Sequence, residues 1–153
     1  IAEAWQTNFM HGRSQERTIG ATIYAVSREV DAAIPPAMIA DAVEADRSSI
    51  KQTFQEVTHE LGLDIGPPVP CEFVAAISDA LELSAHVERR ARHILGQQDA
   101  AGGNPIGIAA AAIYVACEQS DVAVTLKELA AVTGLTKETI WRQKSGFADD
   151  GRN

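Results

Sequence analysis

Between Asn104 and Gln119 the chain reads N-P-I-G-I-A-A-A-A-I-Y-V-A-C-E-Q, and from Ile106 to Cys117 no charged residue occurs. Asn104 can cap the first turn of a helix, and Pro105 then falls at the first helical position, where its missing N–H costs nothing. A helix that is apolar all round must be surrounded by other helices. The run is too short to cross a bilayer and closes on Glu118 and Gln119, so burial inside a helical bundle is what remains. Four consecutive alanines, Ala109 to Ala112, let neighbouring backbones approach closely, while Ile113, Tyr114 and Val115 supply bulk. The stretch is the hub of a compact helical domain.

The flanking sequence supplies the helices such a hub needs. Ile1 to Phe9 reads as the end of a helix with Ala4, Trp5 and Phe9 on one side, broken at His11-Gly12. Ser14 can cap a helix to about Arg28 that carries Ile19, Ile23, Tyr24 and Val26. Pro35-Pro36 open a third helix over about Ala37 to Ala45. A fourth, capped by Asp46, holds Ile50, Phe54, Val57 and Leu61 at four-three-four spacing. Gly62 to Pro70, with three prolines and two glycines, is a linker. The pattern resumes over Cys71 to Leu83 through Phe73, Ile77 and Leu81, then over Ser84 to Gln98, ended by Gly102-Gly103. After the hub come a helix from Thr125 to Thr133 and a last one from Thr136, which Ser145-Gly146 is expected to end. The fold class is all-α.

The chain also repeats itself. A shift of ninety residues, without a gap, pairs Gly12 with Gly102, Ile23-Tyr24 with Ile113-Tyr114, Asp31 with Asp121, Ala40 with Ala130, Arg47 with Lys137 and Ile50 with Ile140. The expected organisation is two tandem five-helix units, each ending in a helix-turn-helix. Residues 1–62 form a first unit lacking helix 1 and the start of helix 2, 63–70 the linker, 71–145 the second unit and 146–153 a polar tail. The chain starts at Ile1 already in helical pattern, which reads as a fragment.

Charge and cysteines narrow the function. Thirteen Lys and Arg against 21 Asp and Glu give a net charge of −8, unlike a protein that coats nucleic acid through basic surface. Such an excess also fits a halophilic source. Cys71 and Cys117 form no CxxC and no zinc pattern, and Cys117 inside the apolar run reads as a reduced packing residue of an intracellular protein. The four histidines, 11, 59, 86 and 93, are scattered, Asp149-Asp150 lie in the polar tail, and no nucleophile–base pair, phosphate loop or metal cluster stands out. Arg89, Arg90, Arg92 and His93 form a small basic cluster, with Glu88 placed to pair with Arg92 one turn on. The expectation is no enzyme, no cofactor and no membrane segment.

The chemistry concentrates in the last two helices of each unit. In T-L-K-E-L-A-A-V-T-G-L-T-K-E-T-I-W-R-Q, Ala130 is small where the helices cross, Gly134 permits a left-handed turn and Ile140 anchors the second helix. Thr136 can cap that helix, with Thr139 beside it. The exposed face near its start is the part that enters a major groove in a helix-turn-helix. Thr136, Lys137, Thr139, Trp141, Arg142 and Lys144 lie on or beside that face, and residues 136–145 carry +2. Arg142 and Lys144 can hold phosphates and Thr139 can reach a base edge. The bland alternative is a helical corner with no ligand. The first unit's version has Glu44 where the turn glycine stands, and Arg47, Lys51 and Gln52 line its second helix. Protein or phosphate contact and a solvated face are both open there.

These motifs, G-G-N-P-I-G-I-A-A-A-A-I-Y-V-A above all, resemble the core of the archaeal transcription factor B family, similar to eukaryotic transcription initiation factor IIB. The resemblance runs from Ile1 to about Arg142 and implies two cyclin-type units. It implies a cytoplasmic, nucleoid-associated protein that clamps the complex of TATA-binding protein and TATA-box DNA. The second-unit helix would contact the upstream B recognition element. RNA polymerase would be recruited through a zinc ribbon, which these residues lack. Within that pattern Arg47, Lys51 and Gln52 fall where the family meets TATA-binding protein or flanking DNA. The second-unit helix departs from the family's Val-Thr-Ile-Arg, having Glu138-Thr139-Ile140-Trp141. A cyclin-like module binding proteins alone is the second reading.

Overall fold

The computed structural model describes residues 15–98 and 102–148. The helix expected over Ile1 to Phe9, its break at His11-Gly12, the Ser14 cap and Asp149-Asp150 lie outside them. Among the described residues there are eight α-helices and no strand. The chain divides into two compact units, Ile1–Pro67 and Pro68–Asn153.

In the first unit α1 (Gln15–Glu29) packs on α2 (Pro36–Val43) and α3 (Arg47–Leu61). The apolar spacing read from the sequence becomes the contact face: Ala21 and Ile50 are fully buried and Ile39 and Val57 nearly so. Tyr24 meets Phe54 edge to face at 4.8 Å between centroids. Gly20 is small because α3 crosses there; a Cβ would stand 2.9 Å from Ile50 Cδ1. The Asp46 carboxylate caps α3, accepting from Ser49 N–H at 3.2 Å and from the Ser48 hydroxyl. Those two hydrogen bonds, the Ser48 one first, hold its carboxyl below the usual aspartate range. Arg28, buried with its guanidinium 5.9 Å from the Tyr24 ring centre, donates to Gly66 O at 2.6 Å and ties the chain beyond α3 back onto α1.

The second unit is built around α6 (Pro105–Gln119). A 3-10 turn (Pro70–Phe73), α4 (Val74–Ala80), α5 (Ala85–Gly96), α7 (Leu126–Thr133) and α8 (Lys137–Ala148) all touch it. Ala109 to Ile113 and Ala116 are fully buried, Cys117 almost so, and Tyr114 and Val115 half-buried. Asn104 caps the helix, its side-chain oxygen accepting from Ile106 and Gly107 N–H. Burial pushes the Cys117 thiol pKa up.

Two expectations are corrected. The single helix over Cys71 to Leu83 is a 3-10 turn followed by a short helix that stops at Ala80. Pro70 opens the turn and the Glu72 carboxylate accepts Val69 N–H at 2.8 Å, tightening it, while Glu82 turns left-handed at φ 55° and ends the segment. The last helix does not end at Ser145-Gly146 but continues to Ala148. Gly146 costs about 1 kcal/mol of helix propensity, and burial of Phe147 in the next position offsets it with about 1.5–3 kcal/mol.

The ninety-residue repeat is visible in the backbone. Asp31 and Asp121 are left-handed at φ 56° and 54°, and Glu44 and Gly134 at 57° and 73°. The units differ in how far their central helix is covered: Ile19 and Ile23 on α1 are each 37% exposed, whereas their partners Ala109 and Ile113 on α6 are at 0%. Left-handed backbone costs an L-residue about 1–2 kcal/mol, part of which glycine gives back as unfolded-chain entropy. Glu44→Gly is therefore expected to raise stability by about 0.5–1 kcal/mol, and Gly134→Ala to lower it by about as much, read as midpoint shifts in urea melts.

Candidate nucleic-acid interface

The corner of the second unit is set by interlocking caps. Thr125 and Glu128 form a reciprocal capping box at the start of α7, with Thr125 N–H to Glu128 Oε2 at 2.8 Å and Glu128 N–H to Thr125 Oγ1 at 3.1 Å. Leu129 and Thr133 are buried beneath it. Thr133 donates to Leu129 O at 2.7 Å and accepts Leu135 N–H at 3.3 Å, so one hydroxyl both ends α7 and holds the turn. Gly134 N–H closes on Ala130 O at 2.9 Å. Thr136 then caps α8, accepting Thr139 N–H at 3.2 Å, with the two hydroxyls 2.9 Å apart.

Ile140 is fully buried and Phe147 nearly so, which fixes which side of α8 faces the bundle. Gly107 makes room for the crossing: a Cβ there would meet Leu135 Cδ1 at 3.4 Å and Thr139 and Gln143 side chains at 3.6 Å. The opposite face presents Lys137, Glu138, Trp141, Arg142 and Ser145 to solvent, with Trp141 51% exposed.

The six residues singled out from the sequence thus separate. Lys137 and Arg142 are exposed and make no hydrogen bond, ion pair or ring contact among the described residues. Trp141 stands between them on the same face. Thr136 and Thr139 spend their hydroxyls on the helix cap. Lys144 is drawn back: its ammonium lies 3.2 Å from Glu118 Oε1, 4.5 Å from the Trp141 ring centre and 5.1 Å from that of Tyr114, with the side chain 19% exposed. It pins α8 to α6 and props the indole. Lys127, exposed on the first turn of α7, adds a cation that sequence reading passed over. It was visible in T-L-K-E, but only the corner geometry gives it a place where the first helix of such a motif crosses a phosphate backbone.

In the first unit Arg47, Lys51 and Gln52 are all exposed on α3, the first two one turn apart. Gln52 Nε2 reaches towards Glu56 Oε1 at 3.5 Å. On α5 the basic cluster is partly structural: Arg92 pairs with Glu88 at 3.0 Å and reaches Cys71 O at 3.3 Å, while Arg90 donates to Gln119 at 2.7 Å. Among the described residues no His, Cys, Asp or Glu side chains gather to hold a metal, and no helix is long and apolar enough to cross a membrane.

Repeated all-helical units, each finished by a helix-turn-helix corner, define a class of helical repeat scaffold. The chain belongs to the transcription factor TFIIB repeat family, whose model matches residues 1–60 and 66–147, and the two repeats correspond to a tandem cyclin-like arrangement. That family is one of transcription factors, not of enzymes. The chain is similar to transcription initiation factor IIB of Archaeoglobus fulgidus (35% identical, covering 96% of this chain and 46% of that protein). It is likewise similar to transcription initiation factor IIB 1 of Halobacterium salinarum (34%, covering 92% and 50%) and to the factor of Methanoculleus marisnigri (33%, covering 96% and 45%). It thus spans about half the length of these curated relatives.

The Lys144 arrangement has a measurable consequence. Lys144→Met keeps the bulk of the side chain and removes the charge, so stability is expected to change by no more than about 1 kcal/mol. The Trp141 indole loses its post, and the heteronuclear NOE of its Nε1–H is expected to fall.

Proposed function

We propose that this chain is the promoter-binding core of an archaeal general transcription initiation factor. Its units, residues 1–62 and 71–145 joined by 63–70, bind the complex of TATA-binding protein and TATA-box DNA. The second-unit corner meets DNA upstream of the box, at the place of the B recognition element, with Lys137, Arg142 and Lys127 on phosphates and α8 in the major groove. Arg47, Lys51 and Gln52 supply the first unit's contact with TATA-binding protein or flanking DNA. RNA polymerase is engaged by a zinc ribbon outside these residues, and the protein works on the nucleoid. Lys144, which the sequence alone placed among the phosphate contacts, acts here by positioning α8.

The observation that carries this reading is the outward face of α8. In a chain of net charge −8, two cations without a partner among the described residues stand on the one helix face that such a corner offers to a groove. Family membership and the names of the relatives support the same role. A second reading, a module binding protein alone, is favoured by one observation: a half-exposed tryptophan is also the kind of side chain that anchors a protein hot spot.

A gel shift separates the two. With archaeal TATA-binding protein on TATA DNA, the chain is expected to give a ternary band; under the second reading DNA adds nothing to the partner's binding. Arg142→Ala is expected to weaken the ternary complex roughly 5- to 10-fold on every upstream sequence and to lower the salt slope by about one unit. An effect confined to one upstream sequence would contradict the phosphate assignment.

A further inference from the structure

We propose that Glu138 and Trp141 make the second-unit corner a reader of pyrimidine edges, the carboxylate taking a cytosine amine and the indole a thymine methyl. The inference rests on the promoter-binding reading above and names the bases that its α8 contact would select.

The two side chains sit three residues apart on the exposed side of α8, in its first two turns, so both point away from Ile140 and the bundle. Glu138 makes no hydrogen bond or ion pair among the described residues. An ionised carboxylate is a hydrogen-bond acceptor only. In the major groove a carboxylate finds a donor on cytosine N4 or adenine N6, and acceptors on guanine and on thymine O4. Adenine sets its N7 acceptor beside that amine, whereas cytosine does not, and cytosine is the better fit.

Trp141 is 51% exposed, and its indole N–H has no partner among the described residues. Its orientation is constrained all the same. The Lys144 ammonium lies 4.5 Å from the ring centre and is itself held by Glu118 at 3.2 Å and Tyr114 at 5.1 Å. A plate fixed in this way gives up little freedom on contact. The apolar feature it can meet in a major groove is the thymine C5-methyl group. Lys137 and Arg142 on the same helix and Lys127 on α7, all exposed, offset the repulsion between Glu138 and the phosphates. An apolar protein partner would make no use of those three cations, and nucleic acid is the occupant they favour.

The test is selection from TATA promoters carrying eight random base pairs upstream, bound by the chain together with TATA-binding protein. Neighbouring C and T on one strand are expected to be enriched, with the selected sequence binding about tenfold more tightly than its purine exchange. Glu138→Gln is expected to move the cytosine preference to adenine, since an amide reads adenine N6 and N7. Trp141→Ala is expected to lose the thymine preference alone. Replacing the selected thymine by deoxyuridine removes only the methyl group, and is expected to weaken the parent protein several-fold and Trp141→Ala not at all. Circular dichroism melts confirm that both variants fold. A ternary complex with no upstream preference, or one that neither substitution moves, overturns the pyrimidine assignment and leaves promoter binding standing. Failure to form a ternary complex on any sequence overturns both.

Discussion

Burial of one alanine-lined helix is the constraint from which the second unit follows. Side chains no larger than methyl at Ala109 to Ala112 bring neighbouring backbones close, and every element of the unit touches α6. Close packing of this sort leaves little slack for any residue that faces the hub. That is why Gly107 sits where α8 crosses and why Ile140 has no exposure left. The orientation of α8, and hence which of its residues face outward, is dictated by a helix whose alanine-lined middle never reaches the surface.

The same plan occurs twice with different fillings. Gly134 turns the second corner at no steric cost, whereas Glu44 makes the same left-handed turn in the first. Asp46 and Thr136 cap equivalent helices, one with a charge and one without. The charged cap sets a carboxylate next to Arg47 and Lys51 and reduces the positive potential of that corner. The second corner has an uncharged cap and carries Lys137, Glu138 and Arg142 on the exposed side of α8. The left-handed turns repeat while the exposed faces of the two corners differ.

Much of this was legible in the sequence because it depended on local rules. The hub, the caps at Asp46, Asn104 and Thr136, and the ninety-residue repeat are all matters of spacing and side-chain chemistry within a few positions. The i,i+4 pair of Glu88 and Arg92 formed for the same reason. What was not legible depended on contacts of the folded chain that helix propensity does not register. The helix propensity of Cys71 to Leu83 gave no sign that the Glu72 carboxylate would fold back on Val69. Ser145-Gly146 looked like a stop because the burial of Phe147 cannot be seen from propensity. Lys144 looked like a phosphate ligand because Glu118 and Tyr114, one turn apart on the hub, reveal their outward face only once α8 is laid against them.

Cys117 gives the hub an additional property. Its sulfur is sealed at the centre of the second unit, 1% exposed and reluctant to ionise. Alkylating and oxidising agents attack the thiolate, so this atom stays chemically silent for as long as the bundle is closed. The half-buried Cys71 is the first to meet such agents. The hub helix thus carries its own seal: the thiol becomes reactive only when the architecture it supports has already come apart.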